Sequence, residues 1–291
     1  MQKKSALNWL IPLITMLALV AAGAGILTQG GEGTYTFINR YGHEVEMYGK
    51  GLYQFDSRLA GAGFRGTDVV TLLLAIPMLL LSYRHYRRES LRGSIFLVAA
   101  LFYFLYNGAS MTFAASFNSL FLIYVALFSS GTFALIITLM NFNRAVLVKR
   151  VQGGFPHRGI AIFLFVAGIG TLFLWISELI GPILQGGAPE IIGPYTTLFT
   201  HGFDSALITP AAVMTGIFLL QRKPWGYVLS APIMIFCTMI GVVVIGQTIS
   251  QTLEGLVFPV PVYIGMIGSW VVMGAFAVYF TIAYFKRMSN D

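Results

Sequence analysis

Eight stretches of this chain are long and apolar enough to cross a lipid bilayer, and that pattern limits the fold more than any other feature. A hydrocarbon core about 30 Å thick needs about 20 apolar residues in a helix. The stretches run roughly over Trp9–Thr28, Ala60–Tyr83, Gly93–Phe113, Asn118–Met140, Gly159–Ile180, His201–Leu220, Trp225–Thr248 and Val260–Phe285. The second is the least apolar, with a continuous run only over Val69–Leu81, and the sixth is next. Only 10% of the 291 residues are charged, against about 25% in a soluble domain. A water-soluble globular fold is therefore excluded. The 32 glycines and 24 phenylalanines fit a polytopic helical bundle, where glycine lets helices pack closely. A single cysteine, Cys237, excludes a disulfide within the monomer and a thiolate metal site. Lys3, Lys4 and Ala22-Gly23-Ala24 have the look of a cleavable signal peptide, but the apolar run exceeds the roughly 7–15 residues of a signal core, so the first span is read as a retained helix. The expected fold is an all-α integral membrane protein, one transmembrane domain over residues 1–291.

Charge orients it. Lys3 and Lys4, Arg84, Arg87, Arg88 and Arg92, Arg144, Lys149, Arg150 and Arg158, Arg222 and Lys223, Lys286 and Arg287 all fall in the termini and alternate loops of an N-in, C-in arrangement. The other four basic residues (Arg40, Lys50, Arg58, Arg65) are assigned to the first outer loop, and the other three outer loops carry none. This is a positive-inside pattern, and it supports an even number of spans. The net charge of +7 is therefore an orientation signal. No basic run is interleaved with aromatics on a soluble face, so no nucleic-acid partner is expected.

Residues 29–59 form the one sizeable segment outside the spans. Thr34–Ile38 and His43–Tyr48 read as strands joined by a turn at Asn39–Gly42, and Leu52–Phe55 can add a third. A small extracytoplasmic β-hairpin or three-stranded flap is predicted. Two strands alone are marginal in water, so the flap should lean on the bundle as a lid. A solvated loop without a role is the plain alternative. Arg92-Gly93, Arg158-Gly159 and Lys223-Pro-Trp-Gly226 each open an outward-running span. That recurrence suggests four tandem α-hairpins, or simply shared interface chemistry.

Polar residues concentrate in the outer halves of the spans. The third carries Tyr103, Tyr106, Asn107 and Ser110 on one face; the seventh carries Gln247, Gln251 and Glu254 at the same helical spacing. The fifth ends with Trp175, Ser177 and Glu178, the sixth opens with His201 and Asp204, and the second opens with Arg65, Thr67, Asp68 and Thr71. At 1.5 Å per residue, Asp68 and Asn107 lie about 22 Å and about 21 Å from the inner ends of their helices. A charged side chain at mid-membrane costs roughly 2.5–3.5 kcal/mol or more and usually faces a cavity or a partner. A polar, acid-lined pocket open to the outside follows, with Asp68, Asn107, Glu178, His201, Asp204 and Gln247 as its lining and Arg65, Tyr103, Ser110, Gln251 and Glu254 as secondary candidates. Structural roles compete: Arg65 and Asp68 can pair with each other, Asp68 can cap its helix, and the tyrosines can bond between helices.

Specific chemistries find little support. No His-Glu-x-x-His run is present, and His201, Asp204 and Glu178 make a weak metal set. Neither paired haem histidines, a strained Gly-x-Ser-x-Gly turn nor a phosphate loop occurs. No cofactor is expected, and no catalytic residue can be named.

Tyr53-x-x-Asp56-Ser57, Ala60-Gly-Ala-Gly63, Arg65-Gly-Thr-Asp68, Arg92-Gly93, Tyr103-Phe-Leu-Tyr106, the segment from Phe117-Asn118 to Phe128, and Pro224-Trp-Gly-Tyr227 together resemble a family of hypothetical bacterial multi-pass membrane proteins with no established activity. The resemblance implies a bacterial inner membrane and nothing about substrate. Asp56, Asp68, Glu178, Asp204 and Glu254 outnumber Arg58 and Arg65 near the pocket, which favours a cation. The expected function is binding or transport of a small cation, proton or polar solute. The alternatives are an intramembrane enzyme on a lipid or envelope substrate, with His201, Asp204 or Glu178 as acid and base, and a scaffold for partner proteins. The bilayer is the one partner the sequence names.

Overall fold

The computed structural model describes residues 2–289. Among them the chain forms α1 (Gln2–Leu27), a hairpin of β1 (Tyr35–Ile38) and β2 (Glu44–Met47), α2 (Arg58–Arg87), α3 (Leu91–Phe113), α4 (Phe121–Met140), a short α5 (Arg144–Arg150), α6 (His157–Leu184), α7 (Phe199–Leu220), α8 (Pro224–Leu253) and α9 (Val262–Lys286). All but α5 are long and apolar enough to span a membrane. The basic loops gather at one end of the bundle and the hairpin lies at the other. Local chemistry sets the helix starts. The Ser57, Ser90 and Asn143 side chains accept from the backbone N–H groups of Ala60, Gly93 and Val146. Pro224, which lacks an N–H to satisfy, opens α8.

Two spans are interrupted. α2 widens into a π turn over Thr71–Ala75, and α7 does the same over Asp204–Ile208. Each π turn ends two residues before a proline, Pro77 or Pro210. A proline inside a helix has no N–H for the carbonyl four residues back and its ring crowds that carbonyl. The wider turn absorbs the misfit. A third π turn, Val262–Ile267, opens α9.

The two interrupted helices occupy equivalent places in two four-helix units, α1–α4 and α6–α9. Among the described residues Glu89 (φ 63°) and Arg222 (φ 55°) are the non-glycine residues in the left-handed region, and they stand 133 positions apart. The same spacing relates the two π turns, the two prolines, the ends of α2 and α7, and the starts of α3 and α8. It also relates the glycines at the close approaches. A Cβ on Gly93 would lie 2.7 Å from the backbone of Tyr86, and one on Gly226 would lie 2.4 Å from the backbone of Leu219. Gly108 meets the backbone of α4, and Gly241 meets that of α9. Of the three hairpin starts that recur in the sequence, Arg92-Gly93 and Lys223-Pro-Trp-Gly226 fall on this spacing, and Arg158-Gly159 does not.

α3 and α8 are the most buried spans and carry much of the core. At the basic end, Phe142, Leu147 and Phe155 of the α4–α6 connection pack with Tyr227 and Tyr284. At the hairpin end, β1 and β2 pair antiparallel with Tyr35 opposite Met47 and Ile38 opposite Glu44. Val45 and Met47 turn inward. The segment Leu52–Phe55 adds no third strand. It enters a 3₁₀ turn, Gly51–Tyr53, which carries the buried Tyr53 down against the helices. The hairpin does lean on the bundle: Asn39 Nδ2 donates to the Gly193 carbonyl at 3.0 Å.

The close approach at Gly226 generates a test. Gly226→Ala forces a methyl group into the Leu219 backbone and should destabilise by at least about 2 kcal/mol, lowering the unfolding temperature in detergent. Gly170→Ala, whose Cβ meets nothing within 4 Å, should leave it unchanged.

Candidate functional site

The polar residues at the hairpin end fall into two groups. The first lies between α2, α8 and the flap. Asp68 is only 4% exposed, and its Oδ2 accepts from the Tyr53 hydroxyl at 2.7 Å. Gly25 of α1 makes the space, since a Cβ there would fall 1.9 Å from that oxygen. One turn further along α2, Thr71 shares a 2.7 Å hydrogen bond with the Tyr103 hydroxyl of α3. Gln247 and Gln251 of α8, with Glu254 just past its end, form a ladder along one face. Gln247 Nε2 donates to Thr67 Oγ1 at 2.9 Å and Gln251 Nε2 to the Leu59 carbonyl at 3.0 Å. Glu254 receives Lys50 at 2.5 Å, the Tyr48 hydroxyl at 3.0 Å and Arg65 at 3.5 Å. Burial alone would raise the Glu254 carboxyl, but Lys50, Tyr48 and Arg65 outweigh it and hold it below its ordinary range. Arg65 also donates to Tyr48 Oη and the Ile26 carbonyl. It is therefore tied to the flap and to α1 while Asp68 is held by Tyr53. Glu254 thus fastens the flap to the bundle, while Gln247 and Gln251 tie α8 to α2.

The second group lies between α3, α6 and α7. Asp204 opens the π turn of α7 and is 4% exposed. Its Oδ1 accepts from the Tyr106 hydroxyl at 3.1 Å and its Oδ2 from Trp175 Nε1 at 3.2 Å. His201 lies one turn earlier, with Nε2 2.9 Å from Glu178 Oε2 and its ring edge-on to Trp175, 5.0 Å between centroids. Phe199, Phe203 and Phe236 surround Tyr106 edge-on. Beside Asp204 is a cavity of about 40 Å³, room for a water-sized guest. Among the described residues no Lys or Arg pairs with Asp204.

Of the sequence candidates, Asp68, Gln247, Gln251, Glu254, Arg65 and Tyr103 belong to the first group, and Glu178, His201 and Asp204 to the second. Asn107 is buried on α3 and Ser110 is half-buried near its end; among the described residues neither side chain bonds to either group. α3 serves both groups, through Tyr103 and Tyr106 one turn apart. Among the described residues no three His, Cys, Asp or Glu side chains converge as a metal set. The sequence reading left Tyr53 out of the lining. Its signal was the Tyr53-x-x-Asp56 spacing next to Ser57, but a loop residue's reach into a bundle has no helical periodicity to reveal it.

Asp56 forms a third polar point, outside the spans. Its Oδ1 accepts from the Ser116 N–H at 2.7 Å and the Tyr195 hydroxyl at 2.9 Å, while Oδ2 is buried without a partner. It thereby joins the flap to the α3–α4 and α6–α7 connections. Burial raises its carboxyl to about 6, against the lowering effect of those two donors.

No family model matches the chain, and comparison with curated proteins and solved structures also finds no match.

Asp56 generates a pH prediction. A carboxyl whose folded value is raised from 3.8 to about 6 binds more protons folded than unfolded across that window. Stability should therefore fall as pH rises through about 4 to 6, by at most about 3 kcal/mol. Asp56→Asn should remove this part of the pH dependence in thermal unfolding scans.

Proposed function

We propose that this multi-pass membrane protein binds a small cation, a proton or a cationic group at the Asp204, His201 and Glu178 group. The flap then faces the outside of a bacterial inner membrane, with both termini in the cytoplasm. One observation carries this reading. Both oxygens of Asp204 are held by neutral donors, Tyr106 and Trp175, with no Lys or Arg partner among the described residues and with a cavity alongside. Removing a carboxylate from water without a counter-charge costs several kcal/mol, and intramembrane acids of this kind mark ion, proton or ligand sites. Tyr106 and Trp175 orient the carboxylate, and His201 with Glu178 adds an imidazole and a second carboxyl one turn away.

The helix interruptions support movement of the ligand as well as binding. Transporters commonly place their sites where spanning helices are broken. Here the π turns of α2 and α7 begin at Thr71 and Asp204, the two residues that meet tyrosines of α3.

A second reading is favoured by the 2.9 Å contact of His201 with Glu178. A base oriented by a carboxylate is the arrangement used for proton transfer in catalysis, and it would serve an enzyme on a lipid or envelope substrate.

Asp204→Asn distinguishes the binding site from a structural contact. The amide keeps the shape and loses the charge. In detergent, methylammonium or sodium at 100 times its Kd should stabilise the unaltered protein by about 2.7 kcal/mol, a rise of a few degrees in unfolding temperature, and should leave Asp204→Asn unmoved. Equal response of both proteins removes Asp204 from the site. His201→Ala that retains the ligand response but loses a measured turnover favours the enzyme.

A further inference from the structure

The two four-helix units serve as controls for one another. Around the Asp204 cavity, Ile208, Ala212, Ile233, Phe236 and Cys237 contribute lining. The residues that the 133-position spacing places at the same points of the first unit are Ala75, Leu79, Ala100, Tyr103 and Phe104. These five are at most 1% exposed and belong to one continuous packed core. In that unit α1 also closes on α4: Leu7, Ile11 and Ile14 share the core with Leu127 and Ala134. In the second unit the corresponding helices, α6 and α9, meet at ring contacts such as Phe163 with Phe280 and Trp175 with Trp270. Between them runs an apolar groove of about 720 Å³. At this place the first unit is closed by packed side chains, and the second is open along its side; the first unit's own groove, of about 590 Å³, lies elsewhere, between α2 and α3.

The groove leads to the acid. Ala167, Thr171, Trp270 and Met273 line both the groove and the Asp204 cavity. Trp270 and Met273 are half-buried and form the α9 side of that shared wall. From Gly159 to Ser177 the groove follows α6 for about 27 Å at 1.5 Å per residue, nearly the whole hydrocarbon thickness of about 30 Å. Its lining is almost wholly apolar apart from hydroxyls such as Ser177 and Ser269 toward the hairpin end. A small hydrated ion gains nothing from such a path, whereas a molecule with a long hydrocarbon tail does.

We infer that the second unit binds an amphiphile from the bilayer, its hydrocarbon tail in the groove between α6 and α9 and its ammonium head at Asp204. This rests on the reading of Asp204 as a cationic site and adds the ligand class and the direction of approach. Trp270 and Met273 are the side chains that must turn aside to admit the head. The absence of a basic residue at Asp204 selects an ammonium over a phosphate or carboxylate head, and the length of the groove selects a long chain.

The test uses the full-length protein in nanodiscs and a long-chain alkylamine brominated along its tail, since bromine quenches tryptophan on contact. Saturable quenching is expected, with an affinity at least tenfold above that of the matching brominated fatty acid. Gly170→Phe fills the groove at a point where a Cβ meets nothing within 4 Å, so it should fold normally and weaken the amine at least tenfold. Asp204→Asn should erase the preference for amine over acid. Methylammonium, which has no tail, reports the head site alone. If methylammonium stabilises the protein while Gly170→Phe leaves the long amine unaffected, the groove inference fails and the Asp204 reading stands. If neither amine binds, both fail. If Gly170→Phe instead turns a cross-linkable dimer into a monomer, the groove is a contact between copies and the inference is overturned.

Discussion

A bilayer offers no hydrogen bonds to a peptide group, so every backbone N–H and C=O in the hydrocarbon must find its partner within the protein. That constraint underlies the eight spanning helices, and it also decides how they break. Pro77 and Pro210 each deprive a carbonyl of its donor. In water such a gap would fill with solvent. Here the helix widens by a residue instead, and both widened turns are anchored at their first residue by a tyrosine from α3. The polar side chains at the hairpin end are organised around these two departures from regular helix.

Close helix contact is the second determinant. Apolar burial does not favour helix against helix over helix against lipid, so packing contacts must hold the bundle. Glycines at 66, 93, 108, 226 and 241 bring backbones within van der Waals distance of one another. The two interhelical hydrogen-bond groups ride on that frame. The α8 ladder of Gln247, Gln251 and Glu254 spends its bonding capacity on the flap and α2. Asp204 faces a cavity, its oxygens held by the neutral donors Tyr106 and Trp175. Similar residue types at similar depth thus do different work.

Much of this was legible in the residues. The eight spans and the hairpin follow from hydropathy and alternation, because both are properties of a segment and its solvent. What periodicity cannot give is the neighbour. Asn107 and Tyr106 are adjacent in sequence and equally polar on a helix diagram, yet only Tyr106 meets an acid. Gln247 and Asp204 both looked like lining, but the partner of the first is a threonine across a tight glycine contact at Gly66 and Gly246. A proline within a span, as at Pro77 and Pro210, marks a departure from regular helix without saying that a π turn will precede it. The repeat was barely readable, since Arg92-Gly93 and Trp225-Gly226 share only the glycine. It is the backbone, with Glu89 and Arg222 in the same rare conformation, that preserves it.

Tyr106 belongs to the first four-helix unit but completes the acid site of the second. The two copies are therefore not free to drift apart as separate modules. A substitution at 106 is felt at 204, across the boundary between units, and a substitution at 204 changes what residue 106 can tolerate. Shared ownership of one hydroxyl makes the asymmetry of the pair a joint property of both halves, and neither half alone holds both donors to Asp204.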